Sequence, residues 1–318
     1  MQAASHTALR GNRLLLTFSL LARDPVTGHL GVASQSHYMG VGAVVTWAEA
    51  GTGAVATQAF ALRGYGPRGL ALMRAGSRAP DALRQLLGSD ADREIRQVAF
   101  LDAAGEFGIH SGTRCVGAAG VARGEHVVGL GNMLDNDGVP QAMVHGFESA
   151  RGDLAHRLVA GLQAADEAGG DIRGRQSAAI LVVDGAPTDA PWDGIVRELR
   201  VEDHQDPIGE LSRLLDLNDA VDDMSRVVFD PEGPILGPPQ PDCVYHSAAA
   251  TLATVARVLG ENPEATFWQA VLQARRGRTD DARQLLEAAT RHNPRLVTFF
   301  SRLADTGILT PESVSALT

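Results

Sequence analysis

The sequence predicts an α+β protein with an all-helical C-terminal segment. Short β-branched and apolar runs are grouped into hairpins, and runs with apolar residues at helical spacing follow in adjacent blocks. After residue 242 the pattern is helical only. Strands and helices that occur in separate blocks favour an α+β sandwich over a regular strand–helix alternation.

The first predicted element is a hairpin. Residues 14–22 are apolar, and "RDPVTGHL" then supplies Asp24 and Gly28 as turn formers before a second apolar run, "LGVASQS". The first run also resembles the apolar core of a secretion signal, but Leu20 is too large for the small-residue cleavage site that such a signal needs. We expect a strand, with secretion as the weaker alternative.

The following runs continue the same organisation. "VGAVVTWAEAG" and "GAVATQAF" predict strands, and Pro67 and Pro80 stand at the first turns of two predicted helices. "IRQVAFLDAAGEFGIHSG" predicts a second hairpin, and Asp153 is the expected N-cap of the second of two further helices. "QSAAILVVDG" predicts a central strand, "RELRVEDH" another, and "DPIGELSRLLDLND" a helix.

The domain organisation follows from a change in composition. Residues 229–242 are rich in proline and glycine and predict a linker, and residues 243–318 predict helices, two of which resemble one tetratricopeptide helix pair. We therefore expect an N-terminal extension over 1–16, a main domain over 17–228, the linker and a helical tail. A single repeat is expected to pack on the main domain or on another chain, and a homo-oligomer is predicted.

Composition excludes several classes of function. The net charge is -10 with scattered basic residues, which disfavours nucleic acid, and no apolar run reaches the ~20 residues that span a bilayer. All 28 basic residues are arginine, so side-chain amine chemistry is excluded and the only primary amine is the chain's N-terminus. Cys115 and Cys243 have no metal or disulfide spacing, which favours a cytoplasmic location.

Several stretches together resemble one family. "TFSLLARDPVTGHLGVASQSH", "WAEAGTGAVATQAF", "YGPRGLALMRAG", "GNML" and "GGDIRGRQSAAILVV" occur in order over about residues 17–215 and are similar to the domain-of-unknown-function family 1028. The resemblance implies a four-layer αββα sandwich of the N-terminal nucleophile (Ntn) hydrolase type. In such enzymes an N-terminal Thr, Ser or Cys attacks an amide carbonyl, and its own α-amine is the general base.

The resemblance makes Thr17 the candidate nucleophile, because members commonly begin Met-Thr and Thr17 aligns with that Thr. Here 16 residues precede it. Autoproteolysis of the Leu16–Thr17 bond would liberate the amine, and a wrongly assigned start of translation is the other explanation. Thr17 as an ordinary strand residue is the structural alternative.

Three further residues are candidates for catalysis. Ser19 lies on the same strand face as Thr17 and is the reserve nucleophile. Ser36 shares a face with Ser34 and could position the proton of the amine, or it could bond backbone in a turn. Asn132 in "GLGNML" has flanking glycines that would let amide groups approach a carbonyl oxygen, as an oxyanion hole requires, although asparagine also tolerates left-handed backbone angles.

The remaining candidates are predicted to bind substrate. A buried amide must be bonded to protein or to substrate, and an arginine could clamp a substrate carboxylate or simply pair with a nearby aspartate. These candidates are His37, Thr57, Gln58, Asp171, Arg173, Gln176 and Ser177. No metal site and no cofactor are expected, because "DNDG" lacks the calcium ligand ladder and the histidines lack ligand spacing.

Two functions follow from these observations. The first is a hydrolase of the Ntn type that cleaves a C–N bond, other than a peptide bond, of a small-molecule substrate, with Thr17 as nucleophile after removal of residues 1–16. The alternative is an unprocessed, non-catalytic Ntn-like domain that binds a ligand or a protein partner.

Overall fold

The computed structural model describes residues 12–15, 17–190 and 192–318. The chain divides into two compact units, Met1–Leu215 and Asp216–Thr318. The first unit contains two antiparallel sheets with helices, and the second consists of helices. The structure therefore confirms the predicted α+β class and the helical C-terminal region.

Two sheets form the centre of the first unit. Sheet A contains β1 (Asn12–Leu15), β4 (Thr46–Glu49), β5 (Gly53–Leu62), β6 (Arg96–Asp102) and β7 (Phe107–Ser111), in the order β1-β5-β6-β7 with β4 also paired to β5. Sheet B contains β2 (Thr17–Arg23), β3 (Leu30–Ser36), β8 (Gly120–Arg123), β9 (Val127–Gly131), β10 (Ser177–Val183) and β11 (Ile195–Val201). Its order is β11-β10-β3-β2-β9-β8, so β10, predicted to be central, is an interior strand next to the edge strand β11.

The opening hairpin is formed by β2 and β3. In the turn between them, Asp24 Oδ1 accepts hydrogen bonds from the N–H groups of Val26 and Thr27, at 2.8 and 2.9 Å. Gly28 has a φ of 78°, which a residue without a Cβ adopts at little cost. These turn residues are the ones that the sequence indicated.

The chain before Thr17 does not extend this hairpin. A single strand over 14–22 was expected, but β1 pairs antiparallel with β5 in sheet A, whereas β2 begins at Thr17 in sheet B. The expectation of one continuous strand was wrong, because Leu15 belongs to sheet A and Thr17 to sheet B. Residue 16 lies outside the described residues. Of the predicted extension 1–16, only 12–15 is described.

Helices cover the outer face of each sheet. α1 (Tyr65–Arg74) and α2 (Ala79–Gly88) pack on sheet A, and α3 (Val139–Ser149) and α4 (Leu154–Glu167) pack on sheet B. A third apolar core, with Leu21 and Val32 from sheet B and Ala54 and Leu101 from sheet A, lies between the sheets. Asp153 caps α4 as predicted, accepting a hydrogen bond from His156 N.

Sequence analysis did not identify the hairpin of β8 and β9. The glycines of "VVGLG" weaken the strand pattern in the sequence. They pack closely against neighbouring side chains: a Cβ on Gly129 would lie 2.9 Å from Met143 Cε, and one on Gly131 would lie 2.7 Å from Leu134 Cδ2. The run after residue 40 also differs from the prediction, because a 3-10 turn, Val41–Ala43, precedes β4.

α5 (Pro207–Val228) extends nine residues beyond the predicted helix end at 219 and crosses the boundary between the units. The remaining helices of the second unit are α6 (Asp242–Leu259), α7 (Glu264–Arg275), α8 (Thr279–His292), α9 (Leu296–Arg302) and α10 (Pro311–Ser315). Their core includes Leu252, Phe267 and Phe300.

The proline-rich segment 229–242, expected as a linker, belongs to the second unit. Arg275 fixes it there by donating from Nε to Pro234 O (2.9 Å) and from Nη2 to Gly237 O (2.5 Å). The tetratricopeptide-like character of α7 and α8 stays a prediction. Within the described ranges, none of the helices combines the length and the apolar character needed to cross a bilayer.

Candidate functional site

Thr17 begins β2, and its side chain belongs to the face of sheet B that meets sheet A. The alternation along the strand places Phe18 and Leu20 in the core under α3 and α4, and Leu21 in the core between the sheets. Thr17 and Ser19 share the face of Leu21, and both are fully buried. The strand therefore places two hydroxyl groups inside the sandwich, where few polar groups are found.

Three donors converge on the backbone carbonyl of Thr17. Asn132 donates from its backbone N–H (3.2 Å) and from Nδ2 (3.4 Å), and Gln58 donates from Nε2 (3.1 Å). Asn132 directly follows β9, and Gln58 lies on β5, so donors from both sheets hold this one peptide group. The amide donors of Asn132 are thus used on Thr17 itself, rather than aimed at an oxyanion as expected.

A third buried amide connects these two. Gln97 on β6 is fully buried, and its Oε1 accepts hydrogen bonds from Gln58 Nε2 (2.7 Å) and Asn132 Nδ2 (3.1 Å). Its Nε2 donates to Gly131 O (2.9 Å) and also lies within bonding distance of Ser111 Oγ (3.1 Å). The result is a network of three amides that spans both sheets.

Two serines extend the network along sheet B. Ser19 Oγ donates to Gln58 Oε1 at 2.5 Å and lies 2.7 Å from Ser34 Oγ. Ser19 opposes Ser34 in the register of β2 and β3, and Thr17 opposes Ser36, which is also buried. The serines therefore line the strand pair that begins at Thr17, as the sequence pattern indicated for Ser34 and Ser36.

Two polar atoms of this site are left without a hydrogen bond. Among the residues that the structure describes, neither Thr17 Oγ1 nor Asn132 Oδ1 has a partner, although both are buried. Buried polar atoms in folded proteins are nearly always paired, because an unpaired one loses its bonds to water without replacement. Two unpaired buried atoms in one site are therefore unusual, and they are a hydroxyl group and a hydrogen-bond acceptor.

His37, Asp171 and Arg173 form a separate group at the same end of sheet B. The buried Asp171 carboxylate accepts hydrogen bonds from His37 N (3.1 Å) and from Arg173 Nε (3.1 Å) and Nη2 (2.7 Å). Arg173 is thereby held by an internal carboxylate, which is the structural role weighed for it above. His37 Nδ1 lies 3.3 Å from Arg175 O, so its side chain is attached to the same loop.

An open groove of about 690 Å³ lies next to this loop. His37, Arg175 and Gln176 line one side, and the segment 203–206 lines the other. Gln176 Nε2 donates to Asp203 Oδ1 at 3.2 Å, which ties the two sides together. The groove is exposed and lined by polar and charged residues, whereas Thr17 is not exposed at all, so the predicted binding residues fall into two separate places.

Ser177 and Thr57 make local bonds. Ser177 Oγ donates to Tyr38 O (2.5 Å) and accepts from Val41 N (3.1 Å), which fixes the turn after β3. Thr57 Oγ1 donates to Leu62 O at 3.3 Å. In the described part of the chain neither side chain is bonded to the amide network, and both have structural roles.

Sequence reasoning missed two buried glutamines. Gln97 connects the network, and Gln35 on β3 has a fully buried amide whose nitrogen and oxygen both lack a partner in the described structure. The rule that singled out Gln58, a polar residue within an apolar strand, would also have identified Gln97 in "IRQVAF". Ranges 12–15, 17–190 and 192–318 contain no cluster of three or more side chains suited to a metal ion.

A second buried polar cluster lies on sheet A. Arg96 Nε donates to Asp90 Oδ2 (2.5 Å), and Tyr65 OH donates to the same oxygen (3.0 Å). Burial raises the pKa of the Asp90 carboxyl, but bonds from Arg96 and from the backbone outweigh it, and the pKa is lowered overall. Burial and the nearby Asp90 charge raise the pKa of Tyr65. These bonds hold Arg96, the first residue of β6, in place.

Comparisons with known proteins agree on one family. The family of unknown function DUF1028 matches residues 17–211. A crystal structure of a Silicibacter pomeroyi protein described by the same family name is 32% identical, with a TM-score of 0.58, covering 67% of this chain and 94% of that chain. No curated protein matches the sequence. The resemblance seen in the sequence is thereby confirmed, and the chain belongs to the DUF1028 family.

Proposed function

We propose that this protein is an amidohydrolase of the Ntn type, with Thr17 as nucleophile once the residues before it are removed. One observation carries the proposal: the buried Thr17 hydroxyl has no partner among the described residues, although the amides and serines around it are almost all paired. A residue with a purely structural role would be expected to use its hydroxyl.

The arrangement of layers supports the same proposal. Helices α1 and α2, sheet A, sheet B, and helices α3 and α4 follow one another in the order expected of a four-layer αββα sandwich. Thr17 begins a central strand of sheet B and faces the space between the sheets, which is a suitable place for an N-terminal nucleophile.

Removal of the residues before Thr17 would take place in two steps. Thr17 Oγ attacks the carbonyl carbon of Leu16, the C–N bond breaks, and the hydroxyl proton ends on the nitrogen of Thr17. Water then hydrolyses the ester, which leaves a carboxylate on residue 16 and a free α-amine on Thr17. An α-amine has a pKa of about 7.7 to 8.0 and can act as a base near neutral pH.

The same two groups would act on the substrate. The amine takes the proton of the Thr17 hydroxyl as this attacks a substrate amide, and returns it to the leaving nitrogen. Water then hydrolyses the ester formed on Thr17, which releases the substrate's carboxylate and restores the hydroxyl. Gln58 and Asn132 hold the carbonyl of Thr17, which keeps the nucleophile in place while it reacts. A small molecule is the proposed substrate, and no cofactor is needed for these steps.

A non-catalytic binding protein is the second candidate. The observation in its favour is the state of the intact chain: Thr17 is fully buried, and the preceding strand β1 is paired with β5. If the segment stays attached, Thr17 has no free amine. Ligand binding would then fall to the exposed groove beside His37, which is open in this state.

The mass of the purified chain distinguishes the two candidates. We expect incubation to yield a chain that starts at Thr17, with the same product in Thr17→Ser and none in Thr17→Ala. Thr57→Ala is the matched control, since it removes a buried threonine hydroxyl outside the network, and it should be processed normally. A wild-type chain that remains whole, with no effect of Thr17→Ala on any hydrolysis, excludes the first candidate in favour of the second.

A further inference from the structure

The orientation of the three buried amides is determined by two backbone carbonyl groups. Gln97 has one end facing Gly131 O, at 2.9 Å, and Gly120 O, at 3.3 Å. A carbonyl oxygen only accepts hydrogen bonds, so this end of Gln97 must be its NH2 group. The other end, which faces Gln58 and Asn132, must therefore be the Gln97 oxygen.

That oxygen in turn orients its two neighbours. Because Gln97 Oε1 only accepts, Gln58 and Asn132 must each turn an NH2 group towards it. In this orientation the same NH2 groups also reach Thr17 O. An inverted Gln97 would place its NH2 group against theirs. If Gln58 and Asn132 inverted in response, their oxygens would face the Thr17 carbonyl, which would then lose these side-chain donors.

The remaining atoms of the network follow from this polarity. Gln58 Oε1 faces Ser19, whose hydroxyl must donate to it, so Ser34 supplies the donor to Ser19. Asn132 Oδ1 is the acceptor left over, and it has no partner in the part of the chain that is described. The unpaired Asn132 oxygen is therefore a consequence of how Gln97 is oriented.

We propose that Gln97 is a positioning residue for Thr17. It acts through Gln58 and Asn132, which it forces to donate to the Thr17 carbonyl, and so it keeps the proposed nucleophile in register with the bond that it attacks. The inference rests on the proposed function, because an effect on cleavage requires that Thr17 is the nucleophile. Its hydrogen-bond geometry can be tested without cleavage.

The test is Gln97→Glu, followed by the rate of cleavage at Leu16–Thr17 over a range of pH, measured by intact mass. A protonated carboxyl group keeps one donor and one acceptor, whereas the ionised group can only accept and opposes Gly131 O. Burial raises the pKa of the carboxyl above its usual value of about 4.3, although the NH2 groups of Gln58 and Asn132 favour the ionised form, so the group is protonated to a larger extent at pH 5.5 than at pH 9. We expect the variant to be at least ~100-fold slower than wild type at pH 9 and within ~10-fold of it at pH 5.5.

Two other variants complete the test. Gln85→Glu places the same charge on the exposed face of α2 and should follow wild type at every pH. Gln97→Met keeps the length of the side chain but removes both bonding groups, so it should be slow at every pH. Cleavage by Gln97→Glu at the wild-type rate at high pH would overturn the proposal.

Hydrogen exchange of β2 tests the geometry separately. In Gln97→Glu, exchange of β2 relative to wild type should increase at least ~10-fold between pH 5.5 and pH 9, while α10 in the second unit stays unchanged. If wild type is never cleaved but this increase occurs, the proposed function fails and the positioning role remains. If β2 shows no such increase, Gln97 does not hold Thr17.

Discussion

Replacing Thr17 by valine should stabilise the first unit while it removes the proposed nucleophile. Threonine and valine have the same shape and are both β-branched, so the rotamer freedom lost on folding is nearly equal. The difference is the hydroxyl, which is buried and unpaired in the described structure. Valine substitutes a methyl group that needs no hydrogen bond.

The expected gain follows from two contributions. A buried polar group without a partner costs about 1 to 3 kcal/mol, and burying a methyl group contributes about 0.8 kcal/mol. Because neighbouring dipoles in the amide network partly solvate the hydroxyl, we expect less than the full sum of roughly 2 to 4 kcal/mol, namely an increase of about 1 to 2 kcal/mol in the free energy of unfolding. This corresponds to a factor of roughly 5 to 30 in the unfolding equilibrium constant.

Hydrogen exchange measured by mass spectrometry provides the assay, since peptides from β2 and β3 report on unfolding of the first unit alone. Their slowest amides should exchange roughly 5 to 30 times more slowly in Thr17→Val. Thr57→Val is the control: its hydroxyl donates to Leu62 O, so the same substitution should destabilise by about 1 kcal/mol. A loss of stability in Thr17→Val would show that the hydroxyl is bonded after all and would refute the reasoning.

Three further variants test the structure around the site. Asp171→Asn should destabilise the first unit by about 2 kcal/mol, because it removes the charge of a buried carboxylate that holds Arg173. Hydrogen exchange in residues 171–177 should accelerate, and unchanged exchange would contradict this. Gly66→Ala should lower the free energy of unfolding in urea by about 1 to 3 kcal/mol, since its Cβ would lie 2.3 Å from the indole ring of Trp47. The control Gly88→Ala has open space around the new Cβ and should not destabilise the protein. Because the pKa of Asp90 is lowered in the folded state, its carboxylate stabilises the protein above the unfolded-state pKa of about 4, and this stability is lost as the pH falls through the folded-state pKa. Asp90→Asn should therefore reduce the free energy of unfolding at pH 7. It should also flatten the decline of that free energy below pH 4, as measured by acid titration of unfolding.

Much of the architecture was accessible from local patterns. The turn at Asp24 and Gly28, the hairpin of β6 and β7, and the cap at Asp153 depend on residues close in sequence, and all three were predicted correctly. The strand β9 was missed because of its glycines, of which Gly129 faces α3, an element that follows later in the chain. The break before Thr17 was missed because it depends on pairing with β5, some 45 residues later in the register.

The candidate site divides in the same way. The sequence alone determined the family, the absence of side-chain amines and the choice of Thr17, since motifs and composition need no coordinates. Only the tertiary structure shows that Asn132 donates to the Thr17 carbonyl, that Arg173 is paired with Asp171, and that Gln97 connects the amides. The physical reason is that a hydrogen bond between two sheets forms only when donor and acceptor are placed to within a few tenths of an ångström. The packing of strands that are remote in the sequence determines this placement, and no single stretch of sequence does.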